Sequence, residues 1–262
     1  MIWSLLCYFK RMTKRKGARS RADVSPEILR ELNQGTVETA TLSEALVIDF
    51  EILARNVGIS VGSLEGLGIL KRMRAVGAAI ENWKIYASHP SDTVRGWAAF
   101  AVVSEPDLAF MQKLKAMRHF AADPHFGVRE WAWLALRDDV AKHLVMALKL
   151  LMPWAQDPDP NIRRFASEVT RPRGVWCAHI VALKNEPERA QHILETLRAD
   201  DSKYVRDSVA NWLNDASKTK SEWVIALVKR WERESPCPET HAIAKRALRS
   251  VAQLRFTGKD FQ

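Results

Sequence analysis

Three carboxylates and three arginines recur at spacings that could build one charged site. Glu130 stands two residues after Val128, Glu168 six after Ile162, and Asp215 ten after Val205. Residues four apart share a helix ridge, so offsets 2, 6 and 10 fall on one line. Arg164, Asp207 and Asn211 lie on the same ridge. Just past Glu168 the chain reads Arg171-Pro172-Arg173-Gly174-Val175-Trp176, whose prolines and glycine must end a helix. Carboxylates, guanidinium groups and an indole together suit a nucleic-acid reader or an enzyme that acts on a cationic group. Plainer readings fit the same residues: a solvated helix face for the ridge, and a plug between repeats for Trp176. Metal and nucleophile chemistry find no support. The seven histidines are scattered, with no HExxH, no Cys/His cluster, no GxSxG and no Cys–His signature. No metal and no cofactor are therefore expected.

The elements that must position these groups are repeats. HPSDTVRGWA (89–98), DPHFGVREWA (123–132), DPDPNIRRFA (157–166) and DDSKYVRDSVA (200–210) share one template. Their anchors Val94, Val128, Ile162 and Val205 are spaced 34, 34 and 43 residues apart, and a fifth, weaker copy includes Ile243. A period of that length, filled by two helices, predicts an all-α solenoid in which stacked neighbours complete the core. Offsets 0, 3, 4 and 7 are mostly apolar and should face the stack. Arg95, Arg129, Arg163 and Arg206 recur at offset 1, and Asp123, Asp157 and Asp200 lie five before their anchors. That pair reads as a helix cap with an Arg–Asp ladder between repeats, so these four arginines are not the first choice for ligand contact. The wider third gap holds about nine extra residues, and the RPRGVW segment begins them. Upstream, Ser25-Pro26-Glu27 predicts a helix start, and Leu46, Phe50 and Leu53 predict a helix over about 43–56. Gly58, Gly62, Gly66 and Gly68 mark a loop-rich junction.

The formal charge is +9, from 40 basic and 31 acidic residues. Eight of the basic and two of the acidic side chains fall in the first thirty residues, so the body is nearly balanced. A polyanion partner is worth weighing, but any anion site on the body must be a local patch. Lys14 to Arg21 reads as a mobile basic arm, and Met12 could be the true start. The opening MIWSLLCYF is too short to span a membrane and lacks a cleavage site, so no membrane partner is expected. Cys7, Cys177 and Cys237 form no CxxC pair, which fits a reducing cytoplasm. The expected organisation is a basic arm over 1–24, a single repeat domain over 25–255 and a short tail over 256–262.

RRFASEVTRPRGVW (163–176) together with SVANWLNDASKTKSEWV (208–224) carries a resemblance. These strings resemble the bacterial DNA alkylation repair glycosylases built from HEAT-like repeats, most closely the AlkC branch, which is related to AlkD. The resemblance covers roughly 85–250. An additional immunoglobulin-like domain, present in some members, is not expected here. The resemblance implies an α-solenoid of HEAT-like repeats with a concave DNA-binding groove. It implies excision of N-methylated bases, chiefly 3-methyladenine and also 3-methylcytosine, from double-stranded DNA in base excision repair. It implies Glu130, Glu168 and Asp215 as catalytic, with Glu168 positioning or deprotonating the attacking water, and Trp176 as the group that stacks on the lesion. Arg164, Arg171 and Arg173 would meet DNA phosphates. A monomer in the bacterial cytoplasm, associated with the nucleoid, is expected. A catalytically silent DNA-binding paralogue and a protein-interaction scaffold remain the alternatives.

Overall fold

The computed structural model describes residues 15–251, which form helices and turns without a strand. None of the described helices is long and apolar enough to cross a membrane. The chain divides into two compact units, one ending at Glu105 and the other beginning at Pro106. The single domain expected over 25–255 runs across both.

In the first unit α1 (Pro26–Gln34) starts as its sequence dictates. Ser25 Oγ accepts the Ile28 N–H at 3.3 Å, and Pro26 fills the first turn, where its missing N–H costs nothing. The helix expected over 43–56 is instead two short ones, α2 (Leu42–Ala45) and α3 (Phe50–Asn56). Asp49 causes the break, because its Oδ1 accepts the N–H groups of Glu51 and Ile52, both at 3.0 Å. A side chain that offers the backbone such bonds caps a new helix rather than continuing an old one. After the glycine-rich junction, α4 (Ile69–Ala78) packs on α5 (Asp92–Ser104). Gly77 permits that approach, since a Cβ there would lie 2.5 Å from the Phe100 Cβ.

Part of the expected mobile arm is fastened to this unit. Arg15 Nη1 donates to Glu44 Oε1 at 2.6 Å, the Ala18 N–H donates to the same oxygen at 3.0 Å, and Ser43 Oγ donates to the Arg19 carbonyl at 3.2 Å. The reason is Glu44, a buried carboxylate that needs a cation. The readings that concern Cys7, a start at Met12 and the 256–262 tail lie outside the described residues.

The second unit contains α6 (Phe110–Ala121), α7 (Phe126–Lys142), α8 (Leu144–Leu151), α9 (Pro160–Glu168), α10 (Val181–Asn185), α11 (Gln191–Thr196), α12 (Lys203–Ser217), α13 (Ser221–Glu234) and α14 (Pro238–Ala247). Helices α7, α9, α12 and α14 pack in succession. Their anchors Val128, Ile162, Val205 and Ile243 are all fully buried, as the repeat pattern requires. Phe165 and Trp212 join them in the core.

One device recurs in the four repeats anchored on Val94, Val128, Ile162 and Val205. The offset-1 arginine sends Nη1 to the carbonyls six and five residues before itself. Arg95 reaches His89 and Pro90, Arg129 reaches Asp123 and Pro124, Arg163 reaches Asp157 and Pro158, and Arg206 reaches Asp200 and Asp201. Arg163 adds a two-pronged pair with Asp200 of the next repeat, at 2.7 and 2.9 Å. The aspartates five before the anchors are not the caps themselves. Each accepts the N–H two residues on, as Asp123 from His125, Asp157 from Asp159 and Asp200 from Ser202, and so bends the chain into the helix. Of the expected ladder, Arg163–Asp200 is the rung seen here, and the expected cap lies two positions on, at His125, Asp159 and Ser202.

Candidate active site

The site grows from the end of α9. Thr170 Oγ1 bonds back to the Ala166 carbonyl at 3.1 Å, and Trp212 Nε1 of α12 donates to the Thr170 carbonyl at 3.0 Å. Pro172 cannot continue a helix, so the chain turns out here. It returns when the Ile180 N–H meets the Pro172 carbonyl at 3.0 Å. Within the turn, Gly174 is obligatory, because a Cβ on it would lie 2.2 Å from Cys177 Sγ.

Five of the proposed residues form one continuous run of ion pairs. Arg164 Nη2 lies 2.7 Å from Glu130 Oε1 and 3.4 Å from Glu168 Oε2. Arg171 Nη1 donates to Glu168 Oε1 at 2.7 Å, while its Nε and Nη2 donate to Asp215 Oδ2 at 2.9 and 2.7 Å. Arg173 joins through Nε, which donates to the Asp215 carbonyl at 3.1 Å. Three successive repeats thus contribute Glu130, Glu168 and Asp215, and two guanidinium groups alternate with them. Glu168 is only 3% exposed and Asp215 6%. Burial alone would raise the Glu168 pKa. The charges of Arg164 and Arg171, with the Ser208 hydrogen bond, outweigh it and hold this carboxyl below the usual carboxylate range. Burial works against the Arg171 cation, yet Glu168 and Asp215 raise its pKa further.

Two expectations change. Arg164, expected on a DNA-contacting rim, is buried, paired with Glu130 and seated 4.8 Å from the Tyr204 ring centroid. Its charge is taken up inside the network. Trp176 is 46% exposed on the turn, and neither a hydrogen bond nor a ring contact joins it to the carboxylates. It does not plug a gap between repeats.

A family model described as DNA alkylation repair enzyme matches residues 63–250. The chain belongs to this family. Among solved structures it is similar to the Pseudomonas fluorescens alkylpurine DNA glycosylase AlkC, bound to DNA containing an abasic site analog. That match is 26% identical with a TM-score of 0.64, and covers 90% of this chain and 66% of that one. AlkD2 from Streptococcus mutans matches at 21% identity and a TM-score of 0.55, over 85% of this chain and 96% of that one, a likeness of fold. The uncharacterized protein YhaZ of Bacillus subtilis (strain 168) is 44% identical over 88 residues, which are 34% of this chain. The match spans about a quarter (24%) of the length of YhaZ, just as it spans about two thirds of AlkC. The helical-repeat fold expected from the anchors is the fold shared with the AlkC and AlkD2 structures.

In this member of the family, several supporting residues escaped the sequence reading. Ser208 Oγ donates to Glu168 Oε2 at 2.6 Å. The repeat pattern held the signal. Offset 3 is Trp97, Trp131 and Phe165 in the three preceding copies, and the small hydroxyl at Ser208 makes room for a buried carboxylate. Trp133 Nε1 donates to Glu130 Oε2 at 2.7 Å and fixes its direction. Arg137 carries no sequence signal of its own, lying off the ridge at offset 9, yet it is 1% exposed and holds the turn.

Proposed function

We propose that the chain is a monofunctional DNA glycosylase that excises N-alkylated, cationic bases such as 3-methyladenine or 3-methylcytosine from double-stranded DNA in base excision repair. The observation that carries this reading is the Glu168–Arg171–Asp215 network, buried and ion-paired, beside a turn that bears an exposed indole. The solved AlkC structure, which holds DNA with an abasic site analog, supports DNA as the partner. We place the protein in the cytoplasm as a monomer.

A base methylated at N3 already carries positive charge and leaves as a neutral molecule. No strong general acid is required. As the N-glycosidic bond lengthens, positive charge develops on the sugar, as in glycoside hydrolysis. Glu130, Glu168 and Asp215 supply negative charge already fixed in direction, so little reorganisation accompanies the step. Water then bonds to the sugar carbon and loses a proton. The sequence gives that water to Glu168, but both Glu168 oxygens already accept from cations or from Ser208. Among the described residues Asp215 Oδ1 meets Lys218 Nζ alone, at 3.4 Å, so in this mechanism it orients the water and accepts its proton. Trp176 stacks on the cationic lesion, a preference over a neutral base of about 0.5–2 kcal/mol. Phosphate contact falls to Arg173 and to Lys218, which is 45% exposed, with Arg171 shared between phosphate and carboxylates.

The test is single-turnover release of 3-methyladenine from methylated duplex DNA. Asp215→Asn is expected to slow it by about 10²–10³-fold. Borohydride should trap no adduct, because water rather than an amine attacks, and a trapped adduct overturns the mechanism. Salt-dependent DNA binding without release would favour the silent paralogue, and no binding would favour the scaffold.

A further inference from the structure

Arg137 is a buried cation that no carboxylate touches in the network above. It lies on α7, and its three donor nitrogens spread across the two ends of the inserted turn. Nη1 donates to the Val169 carbonyl at 3.2 Å, Nη2 to the Arg171 carbonyl at 2.6 Å and Nε to the Ala178 carbonyl at 3.0 Å. Its guanidinium carbon sits 5.9 Å from the Trp133 ring centroid, and Trp133 in turn holds Glu130. The planar fork therefore staples the entry and exit of the segment that carries Arg171, Arg173 and Trp176 to the helix that carries Glu130. A lysine, with one point charge, cannot span three carbonyls in this way. Inside the turn, Gly174 packs so closely on Cys177 that the conformation has little freedom. Trp176 stands on that frame, 46% exposed.

We propose that Arg137 is the positioning residue of the site: it sets the conformation of the 171–178 turn and through it the placement of Trp176 against the lesion. The proposal rests on the glycosylase reading for its effect on catalysis, and on geometry alone for its effect on the turn. Arg137 touches no substrate. Losing it displaces Trp176, and a displacement near 1 Å costs on the order of 10²-fold in rate.

The experiment uses the full chain with Arg137→Met, and Arg137→Lys as the variant that keeps the charge. Amide exchange of residues 173–179 is measured first. Exchange in this segment should speed up in both variants while α9 and α12 stay protected. Unchanged exchange in the turn overturns the proposal whether or not the protein excises bases, and so does exchange that rises equally throughout. Release of 3-methyladenine is measured next. Arg137→Met should slow it about 10–100-fold, with affinity for undamaged duplex within about twofold. In a Trp176→Ala background the same change should cost less than about threefold, because both substitutions remove one interaction. Fully multiplying losses overturn the link to Trp176. If the wild-type protein releases no methylated base, the glycosylase reading fails, and the exchange measurement still decides the role of Arg137 in the turn.

Discussion

Arg163 and Arg164 are neighbours on one helix and do opposite work. Arg163 belongs to the edge of the stack. It caps the turn of its own repeat and pairs with Asp200 of the next, and Arg95, Arg129 and Arg206 make the same carbonyl contacts. Arg164 belongs to the ridge, where it bridges Glu130 and Glu168, and no other repeat has an arginine at that offset. A contact made in four repeats is architecture, since each of those helix pairs needs the same closure. A contact made once, at the cost of burying charge, has to be explained by something other than stacking. The difference separates two sets of arginines and carboxylates that look alike in composition.

Glu168→Gln should show the largest effect. It removes the central negative charge and leaves Arg164 and Arg171 with an uncompensated excess. Base release should fall by about 10²–10³-fold, and unfolding free energy by on the order of 3 kcal/mol. Arg163→Ala should lose about 1–3 kcal/mol of stability, through its bonds to Asp200 and two carbonyls. Its single-turnover release should stay within about twofold of wild type. Denaturant titration and a release assay on the same preparations sharpen the comparison. A release defect in Arg163→Ala as deep as that of Glu168→Gln would break it.

The repeat framework was legible because burial obeys spacing. Val94, Val128, Ile162 and Val205 are all fully buried, and no tertiary knowledge was needed to align them. The ridge carboxylates were legible for the same reason. Their electrostatic state was not, because it depends on which cation from which repeat reaches them. Nothing in the order Arg163-Arg164 says that one side chain turns to Asp200 and the other to Glu130. Arg137 was opaque because its partners are backbone carbonyls, which carry no residue identity. The break at Asp49 was missed because the apolar spacing of Leu46, Phe50 and Leu53 runs through it, while the capping bonds are local. Ser208 could have been found, as the one offset-3 position among the four strong copies that is not aromatic.

The smallest effect tests the edge device where its chemistry changes. Three repeats use an aspartate oxygen to accept the N–H two residues on, and the first uses histidine. His89 Nδ1 accepts the Ser91 N–H at 3.1 Å, a bond that only the neutral imidazole can take. Burial, and then the charge of Arg95, hold the His89 pKa below its ordinary value. The unfolded chain therefore takes up a proton near pH 6.5, while the folded chain does so only at lower pH. The stabilisation is complete above about pH 6.5 and is lost as the pH falls from there toward the folded value. His89→Asp should restore the acceptor used by the other repeats and, being ionised across this range, should flatten that dependence. Denaturation midpoints at pH 7, 6 and 5 measure it, with an expected difference between the two chains of about 1 kcal/mol at the acid end. Equal slopes for both chains would mean that the first repeat does not close through a neutral imidazole, and that the edge device is less uniform than its carbonyl contacts imply.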